Sequence, residues 1–186
     1  MRRLLFDLIL ILALAGLTAC SGGPKTVGPD YGTAAPETPG PITPQEQQYI
    51  HDAKVEIDQL MPEVTRTGES PIRVDPFYET WRGLRNHQGT PFPDWPSRGK
   101  TVLAALEAQW SQAVALQAPL RLQAINAHYQ TFLAYYRKLL DKHQQELALG
   151  QLSPSSGENT TEEWIYVKGE RARFYTLLDG FQQRHP

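Results

Sequence analysis

From residue 43 onward, apolar residues recur at steps of three and four, the spacing of one face of an α-helix. Thr43-Pro44-Gln45-Glu46 reads as a helix start: a threonine that can cap, a proline suited to the first helical position, and a glutamate that closes a capping box. Ile50, Ala53, Ile57, Leu60 and Met61 then line one face, and Pro62 ends the helix. The stretch from Val64 to Lys100 is looser, broken by Pro71, Pro76, Pro91, Pro93 and Pro96. Within it, Asp75-Pro76 marks the start of a short helix burying Phe77, Trp81 and Leu84, although Gly83 weakens the helix.

After Ser97 the periodicity strengthens. Val102, Leu103, Leu106, Trp110, Ala113 and Val114 form one stripe; Leu122, Ile125, Tyr129, Phe132, Tyr136, Leu139 and His143 form a second. The second stripe repeats every seven residues, as helices packed side by side require. Pro119 lies between the two, yet Leu116-Gln-Ala-Pro-Leu120 has none of the glycines a hairpin would use. The pattern therefore predicts one long helix kinked near Pro119. Residues 150–159 read as a loop, Thr160-Thr-Glu-Glu163 as a second capping box, and Trp164, Val167, Phe174, Leu177, Leu178 and Phe181 as the stripe of the last helix. No segment alternates as a strand over a useful length. The expectation is an all-α bundle of about four helices spanning residues 44–186.

The first 43 residues follow different rules. Met1-Arg2-Arg3 gives a positive start, Leu8 to Leu17 an apolar run, and Leu17-Thr18-Ala19-Cys20 closes the run on the chain's one cysteine. The run is short of the roughly 20 apolar residues a membrane span takes, and Ser21-Gly22-Gly23-Pro24 breaks any helix after it. This tetrapeptide resembles the lipobox of bacterial lipoproteins; Asp7, an acid close to the apolar run, departs from that pattern. The resemblance implies a signal peptide over residues 1–19, cleavage before Cys20, acylation of its thiol, and anchoring in the membrane through those chains. In a Gram-negative cell, Ser21 after the cysteine implies the outer membrane, with the protein facing the periplasm. An ordinary cleaved secretory signal is the rival reading. Residues 21–43 hold five glycines and five prolines and almost no large apolar side chain, so residues 20–43 are expected to form a disordered tether. Extended, it would reach roughly 70 Å at about 3.1 Å per residue. Val27-Gly-Pro-Asp-Tyr31 within it is similar to a short motif of outer-membrane efflux channel lipoproteins, but the remaining chain lacks that family's length and strand content.

Charge and cysteine content narrow the chemistry. The chain of 186 residues carries a net charge of −2, which becomes −3 once Arg2, Arg3 and Asp7 are removed with the leader. That balance gives no electrostatic footprint for nucleic acid. With Cys20 acylated no thiol is left for a disulfide, a metal or a nucleophile. No Gly-x-Ser-x-Gly elbow, His-Glu-x-x-His helix or phosphate-binding Gly-x-x-x-x-Gly-Lys loop occurs, and neither a cofactor nor a metal is expected.

Among the histidines (His51, His87, His128, His143 and His185), His143 continues an apolar stripe and has Glu146 one turn on. As a metal pair this reverses the Glu-x-x-His order of di-iron bundles, and no other helix places an acid on its apolar face. A partly buried, hydrogen-bonded histidine near the helix end is the expected role. Arg171 interrupts the last stripe, either to meet an acid or an anionic ligand or to lie along the bundle with its head in water. Asn159-Thr-Thr161 fits a glycosylation pattern but reads better as a helix cap.

The strongest candidate for partner binding is the Arg- and Trp-rich segment contributing Trp81, Arg82, Arg85, His87, Phe92 and Trp95. Arginine and tryptophan are enriched at interface hot spots, and a proline-stiffened loop loses less entropy on binding. Its aromatics could equally cover one end of the bundle. Three functional classes stay open: a non-catalytic interaction module for an envelope complex, a cell-wall enzyme or its regulator, and an accessory of a membrane sensor kinase.

Overall fold

The capping signals at residue 43 do what the sequence asks of them. In the computed structural model, which describes residues 40–65, 68, 70–83, 94–150 and 162–186, Thr43 opens helix α1 (Pro44–Leu60) with a complete capping box. The Thr43 backbone N–H donates to Glu46 at 2.8 Å, and the Glu46 N–H donates to the Thr43 hydroxyl at 3.3 Å. Ala53, Ile57 and Leu60 are fully buried. Beyond α1 the chain makes a short antiparallel hairpin, β1 (Glu63–Val64) and β2 (Ile72–Arg73), with Glu63 opposite Arg73. No sequence pattern announced these two-residue strands; Arg73 fastens them by donating to the Met61 carbonyl at 2.9 Å and pairing with Asp58 at 2.9 Å.

Four further helices complete the described residues: α2 (Pro76–Gly83), α3 (Trp95–Val114), α4 (Gln123–Leu149) and α5 (Glu162–Arg184). The all-α bundle is the observed fold, and five helices stand where about four were expected because Pro119 does not kink a long helix. It ends one. Helix α3 stops at Val114, residues 116–119 are non-helical, and Leu120–Leu122 form a 3-10 turn leading into α4. Proline lacks the donor that α-helix continuation needs, and it biases the residue before it away from helical angles. Pro119 itself is extended, with φ −57° and ψ 156°. The connection manages without glycine because its turns, at Ala115 (φ −74°) and Leu122 (φ −99°), never require positive φ. Gly150, at φ +65°, does require it and closes α4.

Helix α4 is the hub. It runs antiparallel to α5, with Lys142 near Glu163 and His128 against Glu170. Between them lie Tyr129, Phe132, Tyr136, Trp164, Phe174 and Phe181, all fully buried. Two tyrosines one heptad apart reach off α4 to the ends of other helices. The Tyr129 hydroxyl donates to the Ala113 carbonyl at the end of α3 (3.1 Å), and the Tyr136 hydroxyl to the Leu60 carbonyl at the end of α1 (2.9 Å). The last carbonyls of a helix have no partner within it; the Tyr136 phenol supplies one for Leu60, while Ala113 accepts from the Leu116 backbone N–H at 3.3 Å as well as from Tyr129. Among the described residues, no helix is long and apolar enough to cross a membrane. The expected leader and the expected tether up to residue 39, and the loop residues 151–161 with Asn159 to Thr161, lie outside the described residues; the last residues assigned to the tether, Gly40, Pro41 and Thr43, are instead bonded to Arg121, His185 and Glu46.

Replacing either tyrosine by phenylalanine keeps the packing and removes one hydrogen bond. Tyr136→Phe leaves the Leu60 carbonyl without that donor and should cost about 1–3 kcal/mol, whereas Tyr129→Phe leaves Ala113 its bond from the Leu116 backbone N–H and should cost about 0.5–1.5 kcal/mol. Two helical turns separate the sites, so the double variant should show the sum. Urea denaturation checks both expectations, as a lower midpoint at unchanged slope.

Candidate functional site

Where α2 meets α4, four polar side chains share one buried position. Asp75 precedes α2 and accepts from the Phe77 backbone N–H through Oδ1 at 2.9 Å, the usual role of an acid at a helix start. Its other oxygen, Oδ2, accepts from His143 Nε2 of α4 at 2.8 Å. On the far side of the imidazole, Nδ1 lies 3.7 Å from the Glu146 carboxylate, which in turn accepts from the Tyr78 hydroxyl at 3.2 Å. Phe77 stacks on the His143 ring at 4.2 Å, and Tyr78 meets it edge-on at 4.7 Å. Asp75 and His143 are 0 % exposed and Glu146 is 6 % exposed.

Two carboxylates facing one imidazole determine its charge. Burial by itself lowers the pKa of His143, but the charge of Asp75 and its hydrogen bond, followed by Glu146, outweigh burial and raise it to about 9. His143 is therefore an imidazolium at neutral pH, held between two acids and under an aromatic face. Burial, and then the Asp75 charge, also push the Tyr136 phenol well above its ordinary value. The expected hydrogen bond is present, but His143 is fully rather than partly buried, because Phe77 and Tyr78 of α2 cover its ring, and it has more charge around it than the sequence suggested. What sequence reasoning missed is Asp75 as a partner. A search for acids on the apolar faces of helices passes over a residue just before a helix, although Asp75-Pro76 was legible as a helix start.

A second ionic knot lies at the opposite end of α4. Arg121, in the 3-10 turn, donates through Nε and Nη2 to both oxygens of Glu46, at 2.7 and 2.6 Å. It also donates to the Gly40 and Pro41 carbonyls, and His185 Nδ1 reaches the Gly40 carbonyl at 2.8 Å. The guanidinium, with lesser help from the Thr43 donors, holds the Glu46 carboxyl down at about 2 against the opposing effect of burial. Glu170, buried on α5, takes His128 at 2.9 Å and Arg173 at 2.6 Å. Arg171 is half-buried, 3.9 Å from Asp58 of α1, with its guanidinium over the Tyr175 ring. An acid from a neighbouring helix is thus within reach of the guanidinium, which also keeps part of its surface in water.

The candidate partner-binding residues separate. Trp81 and Arg82 lie half-buried in the last turn of α2, Arg82 3.8 Å from Glu79. Arg85, His87 and Phe92 lie outside the described residues. Trp95 is 3 % exposed and packs edge-on against Phe77 at 5.2 Å. It anchors α3 in the core and presents no face to a partner, which corrects its assignment as a contact residue. Among the described residues, no group of three or more His, Cys, Asp and Glu side chains is arranged to hold a metal ion. Comparison of the chain with protein-family models, with curated proteins and with solved structures gives no match.

The imidazolium makes stability pH-dependent in a stated direction. An unfolded histidine titrates near 6.5 and the folded one near 9, so its contribution is complete below pH 6.5 and is lost as pH rises through 9. The loss should be on the order of 3 kcal/mol across that window. Thermal unfolding from pH 6 to 10 should show it, and Asp75→Asn should flatten the dependence. In that variant the His143 ring resonances should titrate at lower pH.

Proposed function

We propose that this chain is a lipid-anchored, periplasm-facing interaction module that helps assemble a complex in the cell envelope, without catalysing a reaction. The anchor reading is supported by Leu17-Thr18-Ala19-Cys20 at the end of the apolar run. The non-catalytic reading is carried by one observation, the closure of the Asp75–His143–Glu146 cluster. Acid-base catalysis needs a group within hydrogen-bond reach of a substrate. Here the residues that most resemble a catalytic constellation are shut off from solvent: Asp75 is bonded to His143 and to the start of α2, Glu146 to Tyr78, and the His143 Nδ1 is buried without a hydrogen-bond partner among the described residues. A helical bundle joined to a lipid anchor by a Gly- and Pro-rich segment suits capture of a partner, because tethering raises the effective concentration of the two. Trp81 and Arg82, together with Arg85, His87 and Phe92 of the following segment, are the proposed contact residues.

The experiment is crosslinking in intact cells, followed by purification and mass spectrometry. Wild-type protein should retrieve one near-stoichiometric envelope protein. Trp81→Ala or Arg85→Ala should cut the yield at least fivefold at unchanged helicity by circular dichroism. Cys20→Ser should release the chain from the membrane fraction and abolish incorporation of labelled palmitate. Recovery of no protein partner, or retention of the Cys20→Ser variant in the membrane, overturns the corresponding half of the reading.

A further inference from the structure

We infer that the outward face of α5 is a self-association surface, on which a second copy of this chain packs its own α5 antiparallel. Ile165, Gly169, Ala172 and Thr176 follow one another along that face at steps of four, three and four, and all are exposed. This line carries no charge, where the solvent side of a bundle helix is ordinarily polar or charged. Ile165 is 55 % exposed and Leu177, beside the line, 40 %. The Thr176 hydroxyl donates to the Ala172 carbonyl at 3.0 Å, so this residue too presents carbon to a neighbour. A hollow of about 330 Å³, lined by Ala172, Arg173, Thr176 and Leu177 with His128 of α4, opens along the same stretch. Gly169 has no packing reason within the described residues, since a Cβ there would meet nothing within 4 Å. Glycine weakens a helix interior, but small residues let a second helix axis approach to about 8 Å.

The charges at the margins of this line select the occupant and its direction. Glu163 pairs with Lys142, Arg171 lies by Asp58, and Arg173 pairs with Glu170. The other charges of α5 are Glu162, Lys168, Asp179 and Arg184, all exposed and alternating in sign along the helix. In reverse order the same series has every sign inverted. A second α5 running the other way, with Ala172 opposite Thr176, therefore sets Lys168 against Asp179 and Glu162 against Arg184, each pair occurring twice about a twofold axis. A parallel copy in register would set each charge level with its like. Arg173, nearest the axis, has its charge met by Glu170 at 2.6 Å. A strip about 34 Å long and about 12 Å wide covers roughly 400 Å², half of the roughly 800 Å² per partner of a standard interface. The dimer is accordingly weak. The inference requires neither the lipid anchor nor a protein partner of another kind.

The test is sedimentation equilibrium of the full-length chain in density-matched detergent, from about 5 to about 500 µM, the range in which a weak dimer forms. The expected result is a reversible equilibrium between monomer and dimer. Lys168→Glu and Asp179→Lys should each weaken the dimer about tenfold, since each acts twice about the axis, and the two together should restore it to within about threefold of wild type. These residues lie about 16 Å apart on one helix, so the rescue cannot come from a bond within one chain. Gly169→Leu should abolish the dimer. Because nothing lies within 4 Å of that Cβ position, the variant should melt no lower than wild type, so a loss of association is not a loss of fold. A chain that stays monomeric at every concentration overturns the inference, including one that carries a different protein on α5. So does a dimer that survives Gly169→Leu, or one whose charge variants fail to rescue each other.

Discussion

One helix face supplies the hydrogen bonds that fix where the other helices begin and end. Tyr129, Tyr136 and His143 are spaced seven residues apart on α4, and each carries a polar tip on an apolar body. The first reaches the end of α3, the second the end of α1, and the third the acid that starts α2. Helix ends are where backbone groups run out of partners, and burying one unsatisfied costs more than a satisfied bond gains. A bundle whose helices terminate inside its own core must therefore solve that problem side chain by side chain. Here α4 brings a donor to a helix-end carbonyl twice, from Tyr129 and Tyr136, and one repeat further on His143 meets the acid that starts α2. The ring bodies also fill the core between α4 and its neighbours, so packing and polar satisfaction come from the same residues.

The second stripe, from Leu122 to His143, was readable from spacing alone, as were the start of α1 and the termination signals around residues 62 and 150. These features are local: a capping box, a proline and a three-four rhythm act within a few residues. The recipients of the three polar tips were not readable. They are a backbone carbonyl in α3, another in α1 and a carboxylate before α2, and no one-dimensional pattern marks a carbonyl as buried. The break at Pro119 was missed for a related reason. A turn was equated with glycine, but an extended proline followed by a 3-10 turn reverses direction at ordinary negative φ. Trp95 was misread because an aromatic beside prolines is ambiguous between a contact surface and a core plug, and only its seat against Phe77 decides.

The distribution of charge connects these features to the proposed role. The most catalysis-like residues face inward and stabilise the start of α2. The ion pairs of Lys142 with Glu163 and of Arg137 with Asp141 lie on the outward side of the α4–α5 pair, apart from the three ties in the core.

The clasp formed by Arg121, Glu46 and His185 has a mechanical consequence. Gly40 and Pro41, just before α1, are gripped by the 3-10 turn ahead of α4 and by the residue that follows α5. A pull on the chain at residue 40 does not act on the first turn of α1 alone. It is divided among two backbone carbonyls and a bidentate ion pair, and passes into the two longest helices of the bundle at once. Traction along the preceding segment is then resisted in shear by the α4–α5 body as a whole, where a free helix start would peel open one turn at a time.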